Sequence, residues 1–488
     1  MSISHKEKNS DSFMLLKLDI NEDGYTFASD IKTALADAEL ELATISTNLE
    51  ENISMLKKLT PDCDKIDYIL SASSGALCGV IDVFLVGKPG ESPVGNITDK
   101  WFENRTKDFA KICGWNGKNN NSASAIKYLE KKFKIPYDQR GVGDAASGVF
   151  DLTPTNHHFK SLGHNPTLLG LFFSILDQFT NTSHFVSDGE LISLQKADDK
   201  FELQGNNIPS KLFCGFMNWF GHLISDISGS YESKSHGRRG MGIPSPIWSW
   251  TNDIIAIKRK ANIPVNEFDK TINELALEIY KKGYDARFQA AQVIPVFINE
   301  ILVRTMYSIR RLIRYFITTE KADRSFSSLW KSCEPFGNAT VKRMLTVAHG
   351  TFCLVDVGDA AVRGFTTGGG IFSVTEFIMR VNIVGVGRFI ISLYGEMSRE
   401  IKHYALKEET MILKREKFIL IDYVEGLKYL SEIYNDETLL LFTKELKESD
   451  MYIQAFEKTV ALAEKRNVPQ DRILKSKKDI DNYFKGGN

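Results

Sequence analysis

The hexapeptide Gly-His-Leu-Ile-Ser-Asp at 221–226 puts a histidine and an aspartate four residues apart inside an otherwise apolar run. On a helix, side chains at i and i+4 leave the same face with their Cβ atoms about 5–6 Å apart, so an imidazole and a carboxylate can bind one cation. His222 and Asp226 are therefore candidate metal ligands, and a divalent ion would compensate buried charge in a way that apolar packing cannot. The alternative is a neutral histidine hydrogen-bonded to a carboxylate that bridges two helices. Upstream, the segment "NHHFKSLGHNP" holds His157, His158 and His164. His157 and His158 are adjacent, so one of them is expected to face a site and the other solvent.

Histidines with a carboxylate suit Zn, Mn or Fe better than Ca or Mg, which prefer oxygen ligands. The ligand types thus predict a divalent transition metal, Zn or Mn. Three or four protein ligands with one open position would make a hydrolytic centre, where the ion acidifies water and polarises a phosphoryl or carbonyl oxygen. Asp82, inside the apolar run "YILSASSGALCGVIDVFLVG", is a candidate to complete the shell or to act as base. Asp82 and Asp177 read equally as buried carboxylates paired with Arg or Lys. In the loop "GSYESKSHGRRGMGIPSP", Arg238 and Arg239 lie among Gly237, Gly240 and Gly242 and could clamp a phosphate bidentately; a solvated connection is the alternative. His184 and His236 are read as loop residues outside the site. The chain has no G-x-x-x-x-G-K-[ST] phosphate loop, no G-x-S-x-G elbow, no H-E-x-x-H and no dinucleotide fingerprint between strand and helix.

The order of these pieces resembles bacterial inner-membrane-associated metal-dependent hydrolases of the YdjM type. It runs from a small-residue helix ending near an Asp, through histidines before an apolar helix, to Gly-His-Leu-x-x-Asp and a Gly-x-Pro-x-Pro turn. The resemblance covers about residues 68–250. It implies an all-helical fold like that of zinc-dependent phospholipase C and nuclease P1. It further implies that His158 (or His157), His164, His222 and Asp226 hold the metal, with Asp82 a loose match for the early carboxylate. This chain departs from the pattern in the wider spacing of its first two histidines, in the lone Asp82 and in a long insertion between Asp82 and the histidines.

The elements that must carry these residues are predicted to be helices, so the fold class expected is all-α: a multi-helix bundle with glycine-rich buried helices and at most a small β-hairpin near 191–205. Residues 25–60 have apolar positions at helical spacing and end at Pro61. Residues 66–87 form a helix rich in small residues, where Gly75 and Gly79 would let a neighbour approach closely. The alternation of "DKFELQG" at 199–205 predicts a hairpin strand. Arg304, Arg310, Arg311 and Arg314 lie along an apolar helix, either as a snorkelling edge or as a basic stripe facing phosphate or anionic lipid. "SGALCGVIDV" and "HGTFCLVDVGD" echo one another, each running from Gly through Cys to Asp. The domain reading is a disordered tail at 1–12, an amphipathic helical segment at 13–65, a core with the candidate site at 66–397 and a charged helical accessory segment at 398–488.

With 488 residues the chain exceeds one ordinary core, and 43 % hydrophobic residues, 25 % charged residues and a net charge of -1 describe a globular protein without a basic field for nucleic acid. Six scattered cysteines and a polar N-terminus predict a reducing, cytoplasmic location without a secretory signal. Asp82, Asp177, Glu376, Arg380 and Arg388 interrupt the longest apolar runs, and an uncompensated charge at mid-bilayer costs about 2.5–3.5 kcal/mol. Those runs are therefore predicted to be interior helices, with peripheral contact at the inner face of a membrane left open. The function expected is metal-dependent hydrolysis of a phosphoester or phospholipid. A non-enzymatic helical protein that is membrane-active or oligomerises through its glycine-rich helices is the main rival, and a soluble scaffold is a second.

Overall fold

The computed structural model describes residues 24–117, 120–136, 152–153, 156–195, 202–229, 240–434, 441 and 452–485. Helices make up 76 % of the structure, as the periodicity predicts. In chain order the helices are α1 (Gly24–Leu59), α2 (Lys65–Ile81), α3 (Pro93–Ile112), α4 (Ser122–Lys132), α5 (His157–Lys160), α6 (Leu168–Thr180), α7 (Ile208–Asp226), α8 (Pro246–Lys260), α9 (Glu267–Lys281) and α10 (Ala286–Thr318). They continue with α11 (Phe326–Cys333), α12 (Ala339–Thr367), α13 (Val374–Arg380), α14 (Ile383–Tyr434), α15 (Tyr452–Lys465) and α16 (Lys477–Phe484). Starts are written locally: Asp64, Asn207, Asn266 and Ser325 each make a reciprocal capping box, and Pro93, Pro209 and Pro246 sit in first turns, where no backbone N–H is needed.

The hairpin lies earlier than the sequence alternation predicts. β1 (Thr182–Ser187) pairs antiparallel with β2 (Glu190–Gln195), joined by Asp188-Gly189 at φ 53° and 76°. Two successive positive φ angles make the tight turn whose twist matches paired strands, and Asp-Gly tolerates them. Residues 202–205 are not strand, and 196–201 fall outside the described residues.

Two compact units result, and the first spans Leu59–Glu400. The described parts of Met1–Lys58 and Ile401–Asn488 make the second, where Ala38 of α1 shares a buried cluster with Val424 and Leu427. The two terminal segments, read separately from the sequence, thus belong to one unit.

Inside the first unit, α2 and α12 lie side by side and parallel. The Asp62 N–H donates to Thr340 Oγ1 at one end, while at the other the Asn382 side chain and backbone donate to Asp82 and Asp356 (2.6 and 2.9 Å). Between them, Gly75 faces the Ala348 carbonyl and Gly79 faces Val355. The echoed segments are therefore neighbours, with Cys78 and Cys353 in one buried cluster. α10 runs the opposite way. Its Arg310 and Arg311 donate to Asp64 and Asp67, its Asn299 accepts from Ser74 Oγ (2.8 Å), and its Gln292 carbonyl accepts from Asn382 Nδ2 (2.9 Å). The arginine stripe is thus neither a snorkelling edge nor a free basic face: Arg310, Arg311 and Arg314 are taken up by Asp62, Asp64 and Asp67, and Arg304 by Glu300.

Among the described residues two stretches are long and apolar enough to cross a membrane, Lys65–Val86 and Ala339–Thr367, and 39 % of the apolar 18-residue window of each is buried within the protein. Asp82 and Asp356 are buried, and the outer faces of these helices are apolar.

A Cβ at Gly75 would overlap the Ala348 carbonyl oxygen, whereas one at Gly358 in α12 would meet open space. Gly75→Ala is expected to destabilise the protein by about 1–3 kcal/mol through overpacking. Gly358→Ala should instead stabilise it by about 0.5–1 kcal/mol; denaturant midpoints of the two variants check the pair.

Candidate metal centre

The site is built from one short turn, one tight loop and the last turn of a long helix. Asn156 Oδ1 accepts from the Thr153 N–H (2.6 Å) and holds the start of α5, which presents His157 and His158. A 3₁₀ turn over Leu162–His164 follows at once and brings His164 beside them, with rings of His158 and His164 stacked at 4.8 Å. α7 ends in the His222–Asp226 pair. At Gly221 a Cβ would overlap the Phe133 ring, so α7 presses directly onto Phe133. His222 Nδ1 lies 3.2 Å from the Phe133 carbonyl. A carbonyl only accepts, so Nδ1 carries the proton of that bond and Nε2 of the neutral ring is left for a ligand role.

The donor atoms converge. Asp226 Oδ2 is 3.2 Å from His222 Nε2, 3.5 Å from His164 Nε2 and 3.8 Å from His158 Nε2, and the Nε2 atoms of His222 and His164 are 3.2 Å apart. All four residues are buried. His158, His164 and Asp226 offer ligand atoms within 4.8 Å of one another and could hold a metal ion. Tetrahedral bonds of about 2.0–2.2 Å place neighbouring ligand atoms about 3.3–3.6 Å apart, and the spacings from Asp226 Oδ2 to the three imidazoles, 3.2 to 3.8 Å, lie around that range. Asp226 Oδ2 makes no hydrogen bond of ordinary geometry despite its burial. One proton cannot serve three nitrogens around one oxygen, but a cation at their centre serves all four atoms. The chemistry of the donors, three imidazoles and a carboxylate, fits Zn or Mn.

Electrostatics follow the same geometry. Burial lowers the proton affinity of His158, and lowers that of His164 strongly, with neighbouring imidazoles adding to the effect. Burial works against the charged form of His222 as well, but the Asp226 carboxylate beside it outweighs that and raises its pKa above the ordinary 6.5. For Asp226, burial alone would push the carboxyl up; the surrounding imidazoles, His222 foremost, hold it far below the usual carboxylate range.

The sequence-derived residues divide clearly. His158, His164, His222 and Asp226 come together. His157 was expected to be either the ligand or solvent-facing, yet it is half-buried with its ring 4.0 Å from that of His158 and 5.9 Å from that of His164. The abrupt turn of α5 into the 3₁₀ loop leaves both neighbours at the site. Asp82 is not part of this cluster. It begins a π turn at the end of α2, which aims it at Asn382 and Asp356 in the helical bundle. Arg238 and Arg239 lie outside the described residues, as does His236. Asp177 pairs with a histidine and not with Arg or Lys: His184 Nδ1 is 2.5 Å from its Oδ1, on strand β1 and not in a loop. Burial pushes the Asp177 carboxyl up and His184 pulls it back. The Phe133 carbonyl and the Gly242 backbone, which bonds His158, were missed. Backbone groups carry no residue signature, although Gly221 next to His222 is a sign of close approach.

Purified wild-type protein is expected to carry about one equivalent of Zn or Mn per chain, and His222→Ala/Asp226→Ala to carry almost none. Asp82→Asn should retain it; elemental analysis of the folded proteins decides. Binding must displace the proton that Asp226 favours on His222, while His158 and His164 are already neutral. Occupancy should therefore fall as pH is lowered from about 8 to 6, which a chelator competition across that range measures. No protein-family model, no curated protein and no solved structure matches this chain.

Proposed function

We propose that this protein is a membrane-associated, metal-dependent hydrolase of a phosphoester, with a phospholipid the favoured substrate class. The observation that supports the reading is the convergence of His158, His164 and His222 on the buried Asp226 carboxylate, at 3.8, 3.5 and 3.2 Å from its Oδ2. A divalent Zn or Mn ion held there would supply Lewis-acid polarisation of a phosphoryl oxygen and an acidified water. The chain's own contributions are positional. The Phe133 carbonyl fixes the His222 ring, Ser225 Oγ donates to Asp226 Oδ1 (3.2 Å), and the Gly242 backbone holds His158, so the donors need little reorganisation.

Phosphate recognition is assigned to Arg238 and Arg239 by their place in the chain. A Cβ at Gly229 would contact the Gly240 carbonyl, so Gly229 and Gly240 lie against each other, close in the chain to Asp226 and Gly242. In sequence, Arg239 and Arg238 come one and two residues before Gly240, and a guanidinium is the side chain best suited to a phosphate. His157, half-buried against His158, is positioned to exchange a proton with a reacting group. The rival reading, a helical protein acting through its glycine-rich segments, accounts for the Gly75 contact with α12 but leaves the four converging donors without a purpose.

Metal-loaded protein is expected to cleave a phosphodiester or a phospholipid in detergent, chelation to abolish the cleavage and added Zn or Mn to restore it. His164→Ala should fall to background, and Arg238→Ala/Arg239→Ala should raise KM more than it lowers kcat. Wild-type protein with full metal occupancy and no cleavage of any phosphoester would overturn the reading. Release of vesicle contents by His164→Ala as well as by wild type would favour the rival.

A further inference from the structure

The bundle of α2, α10, α12 and the first part of α14 is apolar on its outer face and, beside buried Val303, Met344 and Phe352, carries polar groups inside. Its interior holds Ser74, Asp82, Asn299, His349, Asp356 and Asn382, all buried. Its exterior presents Leu77, Phe84, Phe297, Leu354, Ile390 and Ile391, each between 53 % and 77 % exposed. A bundle in water places its apolar residues inside and its polar residues outside. Here the interior polar groups bond across helices, Ser74 to Asn299 and Asn382 to Asp82, Asp356 and Gln292. Small residues at α2–α12 contacts and hydrogen bonds between helices are how helices associate where apolar surface has no drive to hide.

Length agrees with that surrounding. Lys65–Val86 has 22 helical residues, or about 33 Å at 1.5 Å per residue, against a hydrocarbon thickness of about 30 Å. Charge is gathered at both ends. Asp62, Asp64 and Asp67 with Arg310, Arg311 and Arg314 form one belt. The other has Lys88 and Arg380 on Glu376 (3.2 and 2.8 Å). At mid-height the charged set is Glu300, bound by both Arg304 and Arg388 and 3.6 Å from His349. Paired, partly buried ions of this kind are the form in which charge is tolerated at such depth. After α13 the chain bends by 73° into α14, and the freed backbone is satisfied internally: the Asn382 N–H donates to Asp356 and the Gly385 N–H to Asn382 Oδ1.

We infer that this four-helix bundle is embedded in a lipid bilayer, with acyl chains covering the outer faces of α2, α10, α12 and the start of α14. The inference does not depend on the hydrolase reading, but it gives that reading a location. Gly242 N–H donates to Asp285 Oδ2 and Arg287 Nη2 donates to the Gly240 carbonyl, so the loop behind His158 is pinned to the first turn of α10. That turn lies at the Lys88/Glu376 end of the bundle, which puts the donor cluster at one face of the membrane, level with lipid headgroups.

The test uses the full chain expressed in cells and isolated membranes. Wild-type protein is expected to stay in the membrane pellet through alkaline carbonate and urea washes and to leave only with detergent. Leu354→Lys and Phe297→Lys, harmless on a water-facing surface, should lower the membrane-inserted fraction several-fold. For direct contact, detergent-purified Leu354→Trp is placed in phosphatidylcholine vesicles brominated along the acyl chains, and its added fluorescence should be quenched more by the bromolipid than by aqueous iodide. Release by carbonate would show peripheral binding and overturn the inference. So would detergent-free protein that is monomeric, or that covers the face with a second copy, or added fluorescence quenched chiefly by iodide. Loss of metal with retention in the membrane would sink only the hydrolase reading.

Discussion

The Asp226 carboxylate, buried among imidazoles with one oxygen that no hydrogen bond satisfies, is the constraint around which the site lobe is organised. A lone buried carboxylate would normally take up a proton to escape the cost of its charge. This one is held ionised by the rings on three sides; burial keeps His158 and His164 neutral, while the carboxylate favours a proton on His222. The folding of α5, the 3₁₀ turn and the end of α7 toward a common point gathers donors that could hold a cation, from elements far apart in the chain.

The bundle solves a different problem with related means. Asp82 and Asp356 sit on parallel helices and share Asn382, which donates to one from its side chain and to the other from its backbone. That shared donor appears where the chain breaks between α13 and α14, so the break supplies the hydrogen bonds that two inward carboxylates require. Gly75 and Gly79 remove the side chains that would keep α2 and α12 apart. Close approach, inward polar groups and outward apolar ones are thus three aspects of one packing choice.

The two regions meet through Asp285 and Arg287. Asp285 caps α10 by accepting from the Arg287 and Phe288 N–H groups (3.0 and 3.1 Å), and its other carboxylate oxygen accepts from Gly242. The start of a bundle helix is in this way also the support for the loop behind His158. A change in how α10 sits would be felt at the donor cluster through two hydrogen bonds.

The helical class was legible in the sequence because apolar periodicity, capping boxes and prolines at first turns are local signals. So was the i, i+4 relation of His222 and Asp226, which any helix imposes. The hairpin is locally written as well, in Asp188-Gly189, whereas the alternation of 199–205 belongs to no strand among the described residues. The meeting of His164 with His222 across 58 positions could be hoped for but not read, since no spacing rule relates two elements joined by a helix and a hairpin. The wrong assignment of Asp82 has the same origin. Its direction was decided by a π turn and by Asn382, 300 residues away. Sequence by itself determined which residues could bind, bond or cap, because those properties are carried by side-chain chemistry and by the nearest few neighbours. Which of them share a site was decided only by tertiary packing, where the burial of one group sets the charge that another must supply.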